Sequence, residues 1–221
     1  YWIDKELQAD AEAKGYVIVE PDDVLTTHLS QIINAYASDL LGQEEVQELL
    51  DNLQLSYPNL VDTVVPKVMP LNQVTAVMKC ILEEGVPISD LRLILESISS
   101  MNVQKMDSDD VAERIRPKLV PLLIQKLIKF KDTVPLITFS PELEQMILTT
   151  VRQNPDEKML LIEGTLAKKI LSNLNEASEQ FNSEGKPVFL IVAPQIRKHV
   201  ARFVRSQLPS INVLSFLELP E

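Results

Sequence analysis

Two histidines, one cysteine and several carboxylate runs are the side chains of this 221-residue sequence whose types could do chemistry. His28 follows Thr26 and Thr27 at a predicted helix start, where an imidazole could act as a phosphorylatable or catalytic group. Local sequence places no cysteine or carboxylate to orient its ring, so capping or packing accounts for it better. His199 stands among Arg197, Lys198, Arg202 and Arg205. That run could grip an acidic partner, but the expectation is a solvated face, since an amphipathic helix needs a polar side. Cys80, flanked by Val77, Met78, Ile81 and Leu82, reads as a small core residue rather than a nucleophile.

The carboxylates gather at Glu44-Glu45, Glu83-Glu84 and Asp107-Ser108-Asp109-Asp110. The last run shares only its composition with a calcium loop. It lacks the glycine and the terminal glutamate at loop spacing, so helix capping explains it better. No metal site and no cofactor are expected. Walker, G-x-G-x-x-G, G-x-S-x-G and H-E-x-x-H signatures are missing, and five scattered glycines cannot build a phosphate-cradling loop. An enzyme reading survives only as an alternative: a phosphotransfer or small-molecule-binding α/β enzyme using His28 or the C-terminal edge of a sheet. The residues after the expected central strand, Ala193-Pro194-Gln195, offer it no nucleophile or acid.

Charge and composition narrow the classes further. A net charge of −11 repels phosphate backbones, which argues against nucleic-acid partners. One cysteine cannot form an internal disulfide and fits a reducing compartment, the cytoplasm by default. No stretch approaches the roughly 18 apolar residues of a membrane span, and nothing resembles a signal peptide. Tyr1 at the start and Leu219-Pro220-Glu221 at the end read as cuts, so a membrane anchor would lie on another segment.

The elements that must position these residues follow from periodicity. Gly15 should stop a first helix, and Tyr16 to Val19 favours a short strand. From about Asp22 to Phe130 the pattern is helical, predicting five or six helices in a compact bundle. Val46, Leu49, Leu50 and Leu53 form one core stripe, and Val74, Val77, Met78, Ile81 and Leu82 another. Breaks fall at Gly42, at Tyr57-Pro58, from Pro66 to Pro70 and at Gly85-Val86-Pro87, and Ser89 offers the next cap. After Lys131 the texture alternates, with strands predicted at 134–139, 159–162, 188–192 and 213–217. Helices start at Pro141 and Pro194, and a third, carrying Leu166, Ile170, Leu171 and Leu174, stops at Gly185. The expected fold is α+β and multidomain: an all-α helical subdomain, then a small α/β subdomain with a mostly parallel or mixed four-stranded sheet. The seam should lie near residues 117–133.

Six segments stand out when read in order: Trp2-Ile3, Gly15 to Pro21, Val24 to Ser30, Leu40 to Asp51, Leu82 to Arg92 and, more weakly, Val213 to Phe216. Together they resemble the cytoplasmic part of the FlhA/SctV export-gate family of bacterial type III secretion systems and flagella. The resemblance implies a non-enzymatic platform under a bacterial inner membrane that closes into a nonameric ring and docks secretion chaperone–cargo complexes. It also implies contacts with other export-apparatus proteins, including the ATPase stalk and a gatekeeper, and membrane attachment only through an N-terminal half missing here. Residues 1–28 would be the tail of an α/β first subdomain, 29–117 the helical one and 118–221 the C-terminal α/β one. Thr27 matches a cleft-lining threonine of flagellar members, with Val24 and His28 beside it as cargo-binding candidates. Gln43, Glu44 and Arg92 are the implied ring-contact candidates. Flagellar relatives usually carry Arg-Gln-Glu-Val after the Leu-Gly pair, whereas Gln43-Glu44-Glu45-Val46 stands here, which inclines the resemblance to the injectisome branch.

Overall fold

Residues 2–128, 134–155, 157–183 and 186–219 are described by a computed structural model. The chain opens with a 3-10 turn and the short helix α1 (Gln8–Ala13), stopped by Gly15 in the left-handed region at φ +83°. Tyr16 to Val19 is not a strand, contrary to its residue types: it is extended and exposed, Val17 to 90%. β propensity expresses a surface to pack against, and among the described residues nothing pairs with this segment. Helix α2 (Pro21–Ala35) starts on a proline with Asp22 and Asp23 in its first turn, and it buries no residue.

The helical body comprises α3 (Ala37–Leu40), α4 (Gln43–Gln54), α5 (Pro58–Val64), α6 (Leu71–Glu83), α7 (Leu91–Ser99) and α8 (Ser108–Leu127). Its core joins Val46 and Leu50 of α4 to Val74, Val77, Met78 and Ile81 of α6, Ile94, Leu95 and Ile98 of α7, and Ile115 and Leu119 of α8. Val46, Leu50, Val74, Val77, Met78 and Ile81 of the expected stripes are buried, Leu53 and Leu82 are half-buried against the core, and Leu49 faces solvent at 39% exposure. The expected breaks mark helix boundaries, while seven helices rather than five or six lie between Pro21 and Leu127. Asp90, not Ser89, caps α7, its carboxylate accepting from the Leu93 N–H at 2.9 Å. Asp90→Ala is expected to cost about 1 kcal/mol, measurable as a shift of the urea midpoint with unchanged m-value. Asp107 caps α8 in the same way at 2.8 Å from the Asp110 N–H.

Three parallel strands follow in the order β1 (Leu136–Thr138), β2 (Val188–Val192), β3 (Ile211–Ser215). Leu136 pairs with Phe189, Val188 with Ile211, and Val192 with Ser215. The fourth expected strand is absent among the described residues: 159–162 runs extended beside the core without joining the sheet. Leu160 and Ile162 face the core and Met159 and Leu161 face water, so alternation produced the strand-like pattern without strand pairing. The expected helix ends near Phe130 and at Gly185 lie outside the described residues.

Strand β2 is buried at every position, as an apolar run covered on both faces requires. Val188, Leu190 and Val192 meet α9 (Pro141–Gln153), α10 (Gly164–Ser183) and α11 (Pro194–Arg205) through Ile147, Ile170, Leu174, Ile196, Val200 and Val204. Phe189 and Ile191, on the opposite face, meet Val120 of α8 and Leu214 of β3. One helix thus serves two cores: Ile115, Leu119 and Leu123 of α8 point into the helical body while Val120 covers the sheet.

Candidate functional site

The residues suggested for binding fall on three elements, α2, α4 and α7. Val24, Thr27 and His28 share one face of α2 at i, i+3 and i+4 and are all exposed. The same helix also exposes Leu25 (66%), Leu29 (59%), Ile32 and Ile33, so His28 sits on an uncovered aliphatic helix rather than in a catalytic cluster. Gln43 and Glu44 stand exposed in the first turn of α4, after a Gly42 N–H that donates to Glu45 Oε2 at 2.8 Å. Arg92 of α7 is held within the chain. Its Nε donates to Glu96 at 2.7 Å, its Nη1 to the Tyr57 hydroxyl at 3.0 Å, and its guanidinium lies 4.6 Å from the Tyr57 ring centre. Among the described residues, no group of three or more His, Cys, Asp or Glu side chains is placed to hold a metal.

The solvated face expected around His199 is instead the main charged contact of the molecule. Arg197 and His199 are both buried: Arg197 is turned towards Glu84 of α6 and Glu113 of α8, and His199 lies beside Thr150 and Val151 of α9 and the segment 157–161. Arg197, 1% exposed, donates from Nε to Glu113 at 2.6 Å and from Nη1 to Glu84 at 2.6 Å, with Nη2 also on Glu113. Arg116 of α8 reaches the same Glu84 from Nη1 at 2.6 Å. Its Nε stands 2.7 Å from Glu218 Oε1, a close ion pair whose N–H is not aligned on the oxygen. Both guanidinium groups also reach the Val213 carbonyl, at 3.3 and 3.4 Å, covering the outer edge of β3. Further out, Lys198 meets Asp110 at 2.5 Å, Arg202 meets Asp109 at 2.9 Å and Arg205 meets Glu83 at 3.1 Å.

The electrostatics follow from this pairing. Burial alone would raise the Glu84 pKa, but Arg116 and Arg197 overcome it and hold the carboxyl below its ordinary value. Burial likewise opposes the charge on Arg197, and Glu113 and Glu84 outweigh it, raising the pKa. Arg116 is lowered by its burial, against the pull of Glu84. Asp109 is brought down to about 2 against the effect of burial, through hydrogen bonds from Lys158 and Cys80 and the charge of Arg202. His199 is lowered by burial and then by Lys198, and its Nδ1 has no partner among the described residues. A hydrogen bond with the Glu157 backbone opposes that lowering, so the ring is held by packing and one backbone contact.

Cys80 donates to Asp109 Oδ1 at 3.2 Å, and burial followed by this acceptor pushes its thiol up to about 12. The thiol is a proton donor here rather than a nucleophile. Its reaction with a disulfide reagent at pH 8 should run on the order of a thousandfold slower than that of free cysteine, and Asp109→Asn should speed it. Equal rates for Cys80 and free cysteine would contradict this. At the C-terminal end of β2, Glu144 Oε1 accepts the Ala193 N–H at 2.7 Å.

The sequence displayed both halves of the charged contact, Glu83-Glu84 and the run from Arg197 to Arg205, but nothing local joined them. Glu218 and Arg116 went unnoticed. The one available signal was that Arg197 adjoins Ile196 on the flank of the apolar stripe of α11, where a side chain is covered by whatever packs there.

Comparison with known proteins agrees with this architecture. The chain is 32% identical over 219 residues to the flagellar biosynthesis protein FlhA of Buchnera aphidicola subsp. Acyrthosiphon pisum, covering 99% of this chain and 31% of that protein. It therefore spans about a third of the length of the curated relative it matches. The solved structure of the Chlamydia pneumoniae CdsV protein superposes with a TM-score of 0.84 at 26% identity, over 100% of this chain and 63% of that one. A nonameric EPEC SctV-C structure shares the fold, with a TM-score of 0.81 at 22% identity over 98% of this chain and 65% of that one. The FHIPEP family matches residues 1–221 from end to end, and the chain belongs to that family, the FlhA/SctV group of flagellar and type III secretion export proteins.

Proposed function

We propose that this chain is part of a non-enzymatic cytoplasmic platform of a type III export apparatus, which forms a ring and docks chaperone–cargo complexes for export. The observation that carries the docking role is helix α2, fifteen residues long with none buried, presenting Val24, Leu25, Leu29, Ile32 and Ile33 to solvent. Uncovered aliphatic surface of this kind marks a protein contact. Thr27 and His28 flank it and supply hydrogen-bonding groups at its edge.

The ring is proposed to use the α4 start, through Gln43 and Glu44, and the Arg92 side of α7, since both are exposed next to a rigid helical core. A nonameric assembly of a relative with the same fold supports this reading. Three units are proposed, 1–28, 29–117 and 118–221, with the membrane anchor on another part of the protein. Among the described residues no helix is long and apolar enough to cross a membrane.

The test is calorimetric titration of a cognate chaperone–cargo complex into the intact cytoplasmic domain, with and without Leu29→Asp. Leu29 lies on the exposed face, so the fold should survive, and affinity should drop at least about tenfold. Unchanged affinity in the folded variant would remove α2 from the docking surface.

A further inference from the structure

Of the two histidines, His28 is exposed on α2, whereas His199 on α11 is enclosed at 5% exposure. The segment 157–161 lies over the His199 ring, and Thr150, Val151 and Asn154 at the end of α9 close the other side. The space between them is too small to hold a water molecule. Nδ1 is buried without a partner among the described residues, and the ring's one hydrogen-bonding contact is with the Glu157 backbone. A neutral imidazole carries one N–H and fits this setting. An imidazolium carries two, so protonation buries a charged N–H that no acceptor meets.

The charged neighbours offer that N–H no partner. On α11 itself the ring stands beside two cations, Lys198 and Arg202. From α8 comes Asp110, which Lys198 already holds at 2.5 Å. From the covering segment come the exposed Glu157, whose carboxylate lies 3.5 Å from the Met159 N–H, and Lys158, drawn away to Asp107 and Asp109 at 3.4 and 3.0 Å. The α9 residues there carry no titratable group. Burial and then Lys198 lower the ring's pKa, so this contribution to stability is present above the ordinary histidine value and is lost as pH falls below it. The same segment ties the two bodies together. Leu160 and Ile162 pack on the α/β core, Arg202 Nη1 donates to the Lys158 carbonyl at 2.7 Å, and the Lys158 ammonium reaches the start of α8. Residues 157–162 form no helix or strand, so these contacts are what hold them down.

We propose that residues 157–162 form a pH-sensitive strap, closed over neutral His199 and lifted from α11 when the ring takes up a proton. Protonation places a third cation beside Lys198 and Arg202, where neither an acceptor nor room for water meets the new N–H. Lifting the strap lets water reach the ring. Lys158 then leaves Asp107 and Asp109, and the tie from the α/β body to the start of α8 is released. The inner pairs of Arg197 and Arg116 do not involve the strap, so the bodies loosen along one edge and stay joined. This device does not depend on the docking role assigned to α2.

The test is a pH titration of the 221-residue chain from about pH 7.5 to about pH 5, followed by NMR of the histidine rings and of the backbone order parameters. The His199 ring is expected to titrate with a midpoint below the ordinary histidine value. Over the same pH range the order parameters of residues 158–162 should fall from about 0.85 to below about 0.6, while those of β2 stay high. His199→Gln remains uncharged and can still meet the Glu157 backbone, so it should keep the strap ordered throughout. Lys198→Met, at a half-buried position, removes a neighbouring cation and should raise the ring midpoint and the pH of strap release together. A strap that stays ordered while the ring titrates, or that loosens equally in the His199→Gln variant, overturns the proposal. So does a strap whose release fails to follow the ring midpoint in Lys198→Met, or a ring uncharged down to about pH 5.

Discussion

Replacing Arg197 by Met is expected to lower the unfolding free energy by about 3 kcal/mol. Arg197 is 1% exposed and, among the described residues, is the only cation ion-paired to Glu113, while Glu84 retains Arg116. Removing it leaves the half-buried Glu113 carboxylate without its paired cation. The cost falls at the lower end of the roughly 3–5 kcal/mol seen for broken buried pairs, because the Glu84 and Glu113 side chains keep 19% and 26% of their surface in contact with solvent. The diagnostic comparison is Arg197→Met with Glu113→Gln, which removes the stranded charge and should recover part of the loss. Urea unfolding of the single and double variants measures this directly. A loss below about 1 kcal/mol for the single variant would show the contact to be no stronger than a surface pair.

The second large effect is expected at Phe189. This side chain, 1% exposed, projects from the central strand onto α8 beside Val120 and Leu214. Phe189→Ala removes a buried aromatic from the face of the sheet that α8 covers, at a cost of about 3–5 kcal/mol. Because α8 also completes the helical core through Ile115 and Leu119, the loss should fall on the coupling between the two bodies as well as on the sheet. The expected readout is faster amide exchange in the C-terminal half of α8, with the exchange of α6 and α7 little changed. Uniform acceleration through every helix would mean that the bodies unfold as one unit and that Phe189 is an ordinary core residue.

These two residues also show where reading the sequence stops. The apolar run from Val188 to Val192 announced a strand covered on both sides, and its two coverings are indeed different helix sets. The stripes of α4 and α6 announced their buried faces, Tyr57-Pro58 announced a helix boundary, and prolines at 141 and 194 announced helix starts. All of these are local signals, in which a residue's own neighbours within one or two turns decide the outcome. The candidate residues on α2 came from the family resemblance and not from any local chemistry, and the lack of an element covering that helix was not legible at all.

The expectations that failed share a physical cause. Tyr16 to Val19 and Met159 to Ile162 have strand-forming side chains, yet neither segment joins the sheet, because ladder bonds need a partner that local sequence does not contain. The basic face of α11 looked like a face for water, since a charge carries no local mark of whether a carboxylate lies opposite. The partners of Arg197 are 84 and 113 residues away, and the packing of α11 against α6 and α8 is what brings them within hydrogen-bond reach. The sequence by itself therefore determined which segments are helices, which strand is central and which faces are apolar, because periodicity and caps act over a few residues. Only the tertiary structure decided that Arg116, Arg197, Glu84, Glu113 and Glu218 form one buried network, because the energy of a buried charge depends on what folding places around it.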